Sequence, residues 1–269
     1  MEHPTGRNLT HVGVNTPTLP GVQLIHPERR PTSPEELATG LRLRELAPAG
    51  RPYLGLNMVS SLDGKATLDW RTRGLSSDID RRLFHHLRTQ ADAVLVGAGT
   101  AREERYGRMT KNDELRQKRT NEGLVPDALA VVVSGRLDLP PDLPLLNDPD
   151  QRVVIATGSE EELPGLQGDV EYARVGDDLP RLLAYLHEKH AVRAVLCEGG
   201  PTLNSFLFAA NLVDELFLSL SPKIVGGGAA LTIVAGRELV EPRDAQLISV
   251  AEAEGELFTR WRFRASGGR

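Results

Sequence analysis

One cysteine, no long apolar run and no excess of basic residues set the first limits on this chain. Cys197 alone cannot close an internal disulfide. No apolar stretch approaches the roughly 20 residues that a helix needs to cross a bilayer, so no membrane partner is expected. Met1 to Thr18 lacks the apolar core of a secretory signal, which makes the cytoplasm the expected location. The formal net charge of −5 argues against a general nucleic-acid binder, whose phosphate contacts require a basic surface. There is no Gly-x-Ser-x-Gly elbow, and the adjacent His85 and His86 cannot chelate from one helix face, so no metal site is expected. The 269 residues fit one large α/β domain plus an extension, long enough to bury a sizeable core.

What is present is a series of short apolar runs that end abruptly in small or polar residues. Ala194 to Cys197 runs into Glu198-Gly199-Gly200-Pro201-Thr202-Leu203 and then a helix-like stretch, Asn204 to Leu212. The two glycines permit positive φ and leave no side chain between backbone and ligand, and Pro201 suits the first helical position. First-turn amides and the Thr202 hydroxyl there suit a pyrophosphate; the alternative is a plain strand-to-helix turn. Tyr53 to Val59 ends at Ser60-Ser61-Leu62-Asp63-Gly64-Lys65. Ligands of open α/β sheets lie beyond the carboxyl ends of strands, which places Asn57, Ser60 and Asp63 on a crevice, against the alternative of a solvated Asp-Gly turn. Asp92 to Val96 ends in Gly97-Ala98-Gly99-Thr100-Ala101-Arg102. Arg102 replaces the third glycine of a dinucleotide fingerprint, so this is no Rossmann motif, but its backbone can still approach a nucleotide, with Thr100 as a capping or phosphate-binding hydroxyl.

Ala128 to Val133, Arg152 to Ala156 and Val170 to Arg174 read as further strands, and Asp78 to Ala91 and Asp177 to His190 as helices. The alternation predicts an α/β fold with a predominantly parallel central sheet and helices on both faces. Glu215 to Ser221, Gln246 to Ala253 and Glu256 to Arg264 have no helix between the last two, and Ala253-Glu254-Gly255 makes a hairpin, so an antiparallel C-terminal edge is expected. Residues 1–50 read as an N-terminal arm and short helix ahead of a domain over 51–269. Met1 to Pro31 is arm or loop, and Ser33 caps a helix begun by Pro34 and running through Leu37, Leu41 and Leu46. Lys111 to Glu122 reads as a solvated loop or exposed helix without chemistry.

In order, these pieces resemble the reductase domain of riboflavin biosynthesis, a pyrimidine reductase with a dihydrofolate-reductase-like fold, over roughly Arg51 to Arg264. The carriers are Ser61-Leu62-Asp63-Gly64-Lys65, Val96-Gly97-Ala98-Gly99-Thr100, Glu198-Gly199-Gly200-Pro201-Thr202-Leu203, and Leu212 to Leu216 leading to Ser221-Pro222-Lys223-Ile224-Val225-Gly226-Gly227. The resemblance implies NADPH-dependent reduction of the ribosyl side chain of 5-amino-6-(5-phosphoribosylamino)uracil, or its diaminopyrimidinone counterpart, to the ribityl form. Alternatives are a reductase of the same fold acting on dihydrofolate or another heterocycle, and a catalytically silent nucleotide-binding module. A single cysteine cannot build the zinc deaminase of bifunctional relatives.

The same resemblance distributes roles. Asp63 is the expected catalytic residue, holding the pyrimidine or a sugar hydroxyl and orienting a proton donor. Asn57, Thr72, Ser76, Arg88 and Glu198 are expected to bind substrate, Glu198 as an acceptor or alternatively as the fixer of its glycine turn. Glu104-Arg105-Tyr106-Gly107-Arg108 replaces the family's acidic pair and proline, and Arg105 and Arg108 are candidates for the sugar phosphate. Ser60, Gly97, Gly99 and Thr100 would line one side of the cofactor, with Gly199, Gly200, Pro201, Thr202 and Leu203 around its pyrophosphate. Ser134 and Arg136 would hold the 2′-phosphate that distinguishes NADPH from NADH. Family precedent and the antiparallel edge suggest a homodimer.

Overall fold

A computed structural model describes residues 21–68, 71–227 and 231–264. In chain order the elements are β1 (Val22–His26), β2 (Arg30–Thr32), α1 (Pro34–Leu37), β3 (Tyr53–Ser61), α2 (Asp78–Leu87), β4 (Ala93–Gly97), α3 (Ala98–Glu103), α4 (Asp113–Asn121), β5 (Leu129–Val133), α5 (Pro144–Asn147), β6 (Arg152–Thr157), β7 (Asp169–Arg174), α6 (Leu179–His190), β8 (Ala194–Cys197), α7 (Pro201–Ala209), β9 (Glu215–Ser221), β10 (Ala245–Ala253) and β11 (Glu256–Phe263). All strands join one sheet in the order β2-β1-β10-β11-β9-β3-β8-β4-β5-β6-β7. Pairing is parallel from β9 through β7 and antiparallel from β9 outward through β11, β10, β1 and β2.

Strand β3 shows why the sheet is continuous. It is covered on both faces, and eight of its nine residues are buried, so its apolar run does not alternate. Leu54 and Leu56 face the layer containing Leu182, Leu183 and Leu186 of α6 and Leu203 and Leu207 of α7. Tyr53 faces the other layer, with Ile79, Leu83 and Leu87 of α2. The apolar spacing of α6 therefore docks one stripe, and each fully buried leucine there stabilises the fold by about 1.5–3 kcal/mol relative to an exposed one. Truncating Leu186 to alanine would cost about 2–5 kcal/mol.

Side-chain caps mark four helix starts: Ser33, Ser77, Asn112 and Asp178 each accept a backbone amide from the first turn of α1, α2, α4 and α6. Helices α3 and α7 begin at Gly97 and Gly200, which have no side chain to do this.

Four expectations change or narrow. Part of the supposed N-terminal arm is strand: Val22 and Leu24 alternate inward, and β1 pairs with β10, while residues 1–20 lie outside those described. The C-terminal hairpin is therefore not an open edge, and the homodimer expectation loses that support. The helix opened by Ser33 and Pro34 stops after one turn, because Gly40 takes φ +68, and Leu43 is buried by a separate 3₁₀ turn, Leu43–Leu46. The polar segment after Lys111 is helix α4, anchored by fully buried Arg119, which donates to the carbonyls of Arg88, Ala91 and Val125. The helix from Asp78 likewise ends at Leu87, followed by a 3₁₀ turn, Arg88–Gln90. Among the described residues no helix is long and apolar enough to cross a membrane.

Candidate active site

The carboxyl ends of β3, β8 and β4 lie side by side, and two glycine turns meet there. Gly97 N–H donates to the Gly199 carbonyl at 2.7 Å, and Glu198 N–H to the Leu95 carbonyl at 2.9 Å. A Cβ on Gly200 would stand 2.6 Å from Thr100 Oγ1, and Gly199 has φ +86 with Met58 Sδ 3.2 Å from where its Cβ would be. Bare backbone is thus required at Gly199 and Gly200. It also leaves the first amides of α3 and α7, including those of Thr202 and Leu203, without a capping acceptor at neighbouring helix ends, where the helix dipoles favour an anion.

Next to these turns is a cavity of about 440 Å³. Asn57, Met58 and Val59 of β3 form its floor, and Asp80, Arg81, Phe84, His85 and Arg88 form a single stripe along α2 and the turn after it. Thr72, Arg73 and Ser76 come from the segment before α2. Thr100, Glu104, Arg105, Tyr106, Gly107 and Lys111 come from α3 and the loop beyond it, and Glu198 from the end of β8. Most of the polar wall is already paired. Arg88 Nε and Nη2 donate to the two Glu198 carboxylate oxygens at 2.6 and 2.7 Å, and Nη1 donates to the Met109 carbonyl at 2.8 Å. Tyr106 Oη donates to Glu198 Oε2 at 2.7 Å, and the Arg88 guanidinium lies 4.3 Å from the Phe84 ring centroid.

Desolvation disfavours the Arg88 cation, but the charge and hydrogen bonds of Glu198 outweigh it and hold the guanidinium above its ordinary pKa. Burial, reinforced by Glu198, pushes the Tyr106 phenol well up. Asp80 accepts from Ser76 and Ser219, and burial still raises its pKa. Glu104 accepts from the amide and hydroxyl of Thr72 at 2.9 and 3.0 Å. Lys111 is pushed down by partial burial and by the Arg88 charge.

Of the expected substrate residues, the cavity gathers Asn57, Thr72, Ser76, Arg88, Arg105 and Glu198, with Thr100 from the cofactor set. Arg88 and Glu198, however, bond to each other rather than stand free, and Glu198 does not serve its glycine turn by side-chain hydrogen bonds. Arg105 holds φ +44 and an exposed pair with Asp142. Arg108 is drawn off the cavity by Asp127 and Asp150. Asp63 also lies off the cavity wall. Its carboxylate accepts from Ser61 Oγ at 2.6 Å, Val225 N–H at 3.1 Å and Gly226 N–H at 2.7 Å, which hold it well below the usual carboxylate range.

Of the residues expected around a cofactor, Gly97, Gly99 and Gly199 to Leu203 form the paired helix starts. Buried Ser60 donates to the Ser61 carbonyl. Ser134 and Arg136 follow β5, whose Val133 is level with Gly97, so they begin beside α3. Sequence reasoning missed Arg73, Asp80, Phe84, His85, Tyr106 and Lys111. The α2 members were recoverable from helical spacing back from Arg88, whereas nothing local marks Lys111.

Residues 52–256 match the family described as the RibD C-terminal domain. The chain is 35% identical over 198 residues to the 2,5-diamino-6-ribosylamino-4(3H)-pyrimidinone 5′-phosphate reductase of Archaeoglobus fulgidus, covering 71% of this chain and 90% of that one. It is 33% identical over 200 residues to the protein of the same name from Methanothermobacter thermautotrophicus, covering 72% and 89%. A solved pyrimidine reductase-like protein from Corynebacterium diphtheriae superposes with a TM-score of 0.73 at 20% identity, over 87% of this chain and 100% of that one, which speaks for a shared fold.

Proposed function

The chain belongs to the RibD C-terminal domain family, the pyrimidine reductases of riboflavin biosynthesis, and from that membership we propose that it reduces the ribosyl side chain of 2,5-diamino-6-ribosylamino-4(3H)-pyrimidinone 5′-phosphate, or of its uracil counterpart, to the ribityl form with NADPH in the cytoplasm. The comparisons lend nothing to the folate or silent-module alternatives.

The observation that carries the reading is that two sites of different character meet at Thr100. On one side are the uncapped starts of α3 and α7, on the other a cavity rimmed by cations. The residues fit a dinucleotide: glycine at positions 97, 199 and 200 lets backbone approach it, and the Thr202 and Leu203 amides take its pyrophosphate in place of the missing caps. Ser134 and Arg136 take the 2′-phosphate. NADPH supplies the hydride when bound.

The protein's own work is alignment and charge. Arg73, Arg105 and Lys111 receive the sugar phosphate, since each lines the cavity and none is committed to a buried pair. Asn57, Thr72 and Ser76 offer hydrogen bonds to the heterocycle or the sugar. Arg88 and Glu198 act through each other as a rigid wall, because a substrate anion on Arg88 would have to displace a buried carboxylate that already satisfies it. Asp63 acts as a positioning residue, tying the end of β3 to the loop after β9.

Loss of NADPH absorbance on adding the pyrimidinone phosphate tests the reading. Turnover is expected with NADPH, and Arg136→Ala should raise KM for NADPH about tenfold while leaving the weaker NADH reaction unchanged. No oxidation with either pyrimidine would refute it.

A further inference from the structure

His85 lines the cavity and has no role so far. It stands one turn from both Arg81 and Arg88 on the stripe of α2 that faces the cavity, and its ring is tilted against that of Phe84 with centroids 5.1 Å apart. Arg88, Glu198, Asp80 and Glu104 around it are all hydrogen-bonded. His85 is not: its Nδ1 is buried and has no hydrogen-bond partner among the described residues. A buried polar nitrogen left unpaired is uncommon in folded proteins and calls for a reason. Beside a cavity, a rotation of the ring is enough to turn that nitrogen toward a ligand atom.

The ring is also uncharged. Burial, followed by the positive charges of Arg88, Lys111, His86 and Arg81, pushes its pKa down to about 4. At neutral pH it is an imidazole with one N–H donor and one lone-pair acceptor. Such a group cannot hold a phosphate by charge, a task its cationic neighbours already suit. It suits a neutral heterocycle edge, where one ring nitrogen donates to a carbonyl or accepts from a ring N–H, and Phe84 beside it offers a flat ring an apolar face.

We propose that His85 contacts the substrate's pyrimidine ring, hydrogen-bonding its amide-like edge, and so turns the heterocycle toward α2 and leaves the phosphate to Arg73, Arg105 and Lys111. This deepens the reductase reading and rests on it.

The deciding measurement is a titration of the wild-type protein followed by imidazole ¹H–¹³C spectra, with the His85 peak assigned by its loss in His85→Gln. The peak is expected to shift on addition of the ribitylaminopyrimidine phosphate product and to respond far less to ribose 5-phosphate, which carries the charge without the ring. A peak that stays still, or that moves equally with both, overturns the proposal. Kinetics supply the second reading: His85→Leu should raise KM for the pyrimidine about tenfold with KM for NADPH within about twofold, and His85→Gln, which keeps a donor and an acceptor, should restore most of it. A wild-type KM in the leucine variant also counts against the contact. If that variant does not fold, the wild-type titration decides alone. Absence of turnover by the wild-type enzyme would defeat the reductase reading, and a product-specific shift of the His85 peak would then leave the ring contact standing without it.

Discussion

Glu198→Gln is expected to cost stability directly, because the glutamate neutralises an arginine that has little access to water. Both side chains are nearly inaccessible, 5% for Arg88 and 2% for Glu198. Glutamine keeps the shape but not the charge. Its amide oxygen can accept from one Arg88 N–H, while its NH₂ is set against the other, donor facing donor. The guanidinium would then be a desolvated cation supported only by that neutral amide oxygen, the Met109 carbonyl at 2.8 Å and the Phe84 ring at 4.3 Å. Removing one partner of a buried ion pair costs about 3–5 kcal/mol. At about 2–4 °C per kcal/mol for a domain of this size, Tm should fall by about 6–20 °C in a thermal melt without cofactor. Arg88→Met should cost a similar amount, and the double variant should cost clearly less than the sum, since it leaves no unpaired charge. A Tm within about 2 °C of wild type for Glu198→Gln, or strict additivity in the double variant, would refute the internal pair and return both side chains to the substrate.

Glu256 on β11 is pushed up to about 7 by burial, with nearby Asp80 and Glu254 adding to the shift and Ser77 and Lys223 opposing it. Its folded pKa lies above its unfolded one, so between about pH 4.5 and 7 the folded state keeps a proton that the unfolded chain releases, and stability from this group declines across that window and then levels. Glu256→Gln should remove the decline and be more stable than wild type at pH 8 by about 1–3 kcal/mol; urea midpoints of the two proteins that differ equally at pH 5 and pH 8 would contradict this. Lys111→Met should raise KM for the phosphorylated substrate about tenfold with Tm unchanged, whereas Arg108→Ala, whose partners are Asp127 and Asp150, should leave KM alone and cost about 1 kcal/mol in a melt. The reverse pattern would exchange their roles.

Much of the fold was legible because its signals are local. A run such as Leu54 to Val59 is apolar but for Asn57 and can be buried on both faces only as a central strand. Ser33 announces a helix because it accepts an amide three residues along the chain. Gly199-Gly200-Pro201 announces a bare helix start for the same short-range reason. Strands β1 and β2 escaped notice because three to five residues among prolines carry too little periodic signal, and only the register against β10 gives them a place.

The site was legible in membership and illegible in use. Strand-end placement in the sequence singled out Asn57, the family resemblance of its motifs added Thr72, Ser76, Arg88 and Glu198, and the structure gathers all five at one cavity. Which of those groups stay available was decided only by tertiary structure. Arg88 meets Glu198 across 110 positions of chain, and Asp63 meets Gly226 across 163, and each meeting uses a charge that the sequence alone presents as free. The physical reason is range. Capping, turns and periodicity depend on atoms a few residues apart, whereas the worth of a charge depends on how far the whole fold removes it from water and which opposite charge it sets beside it.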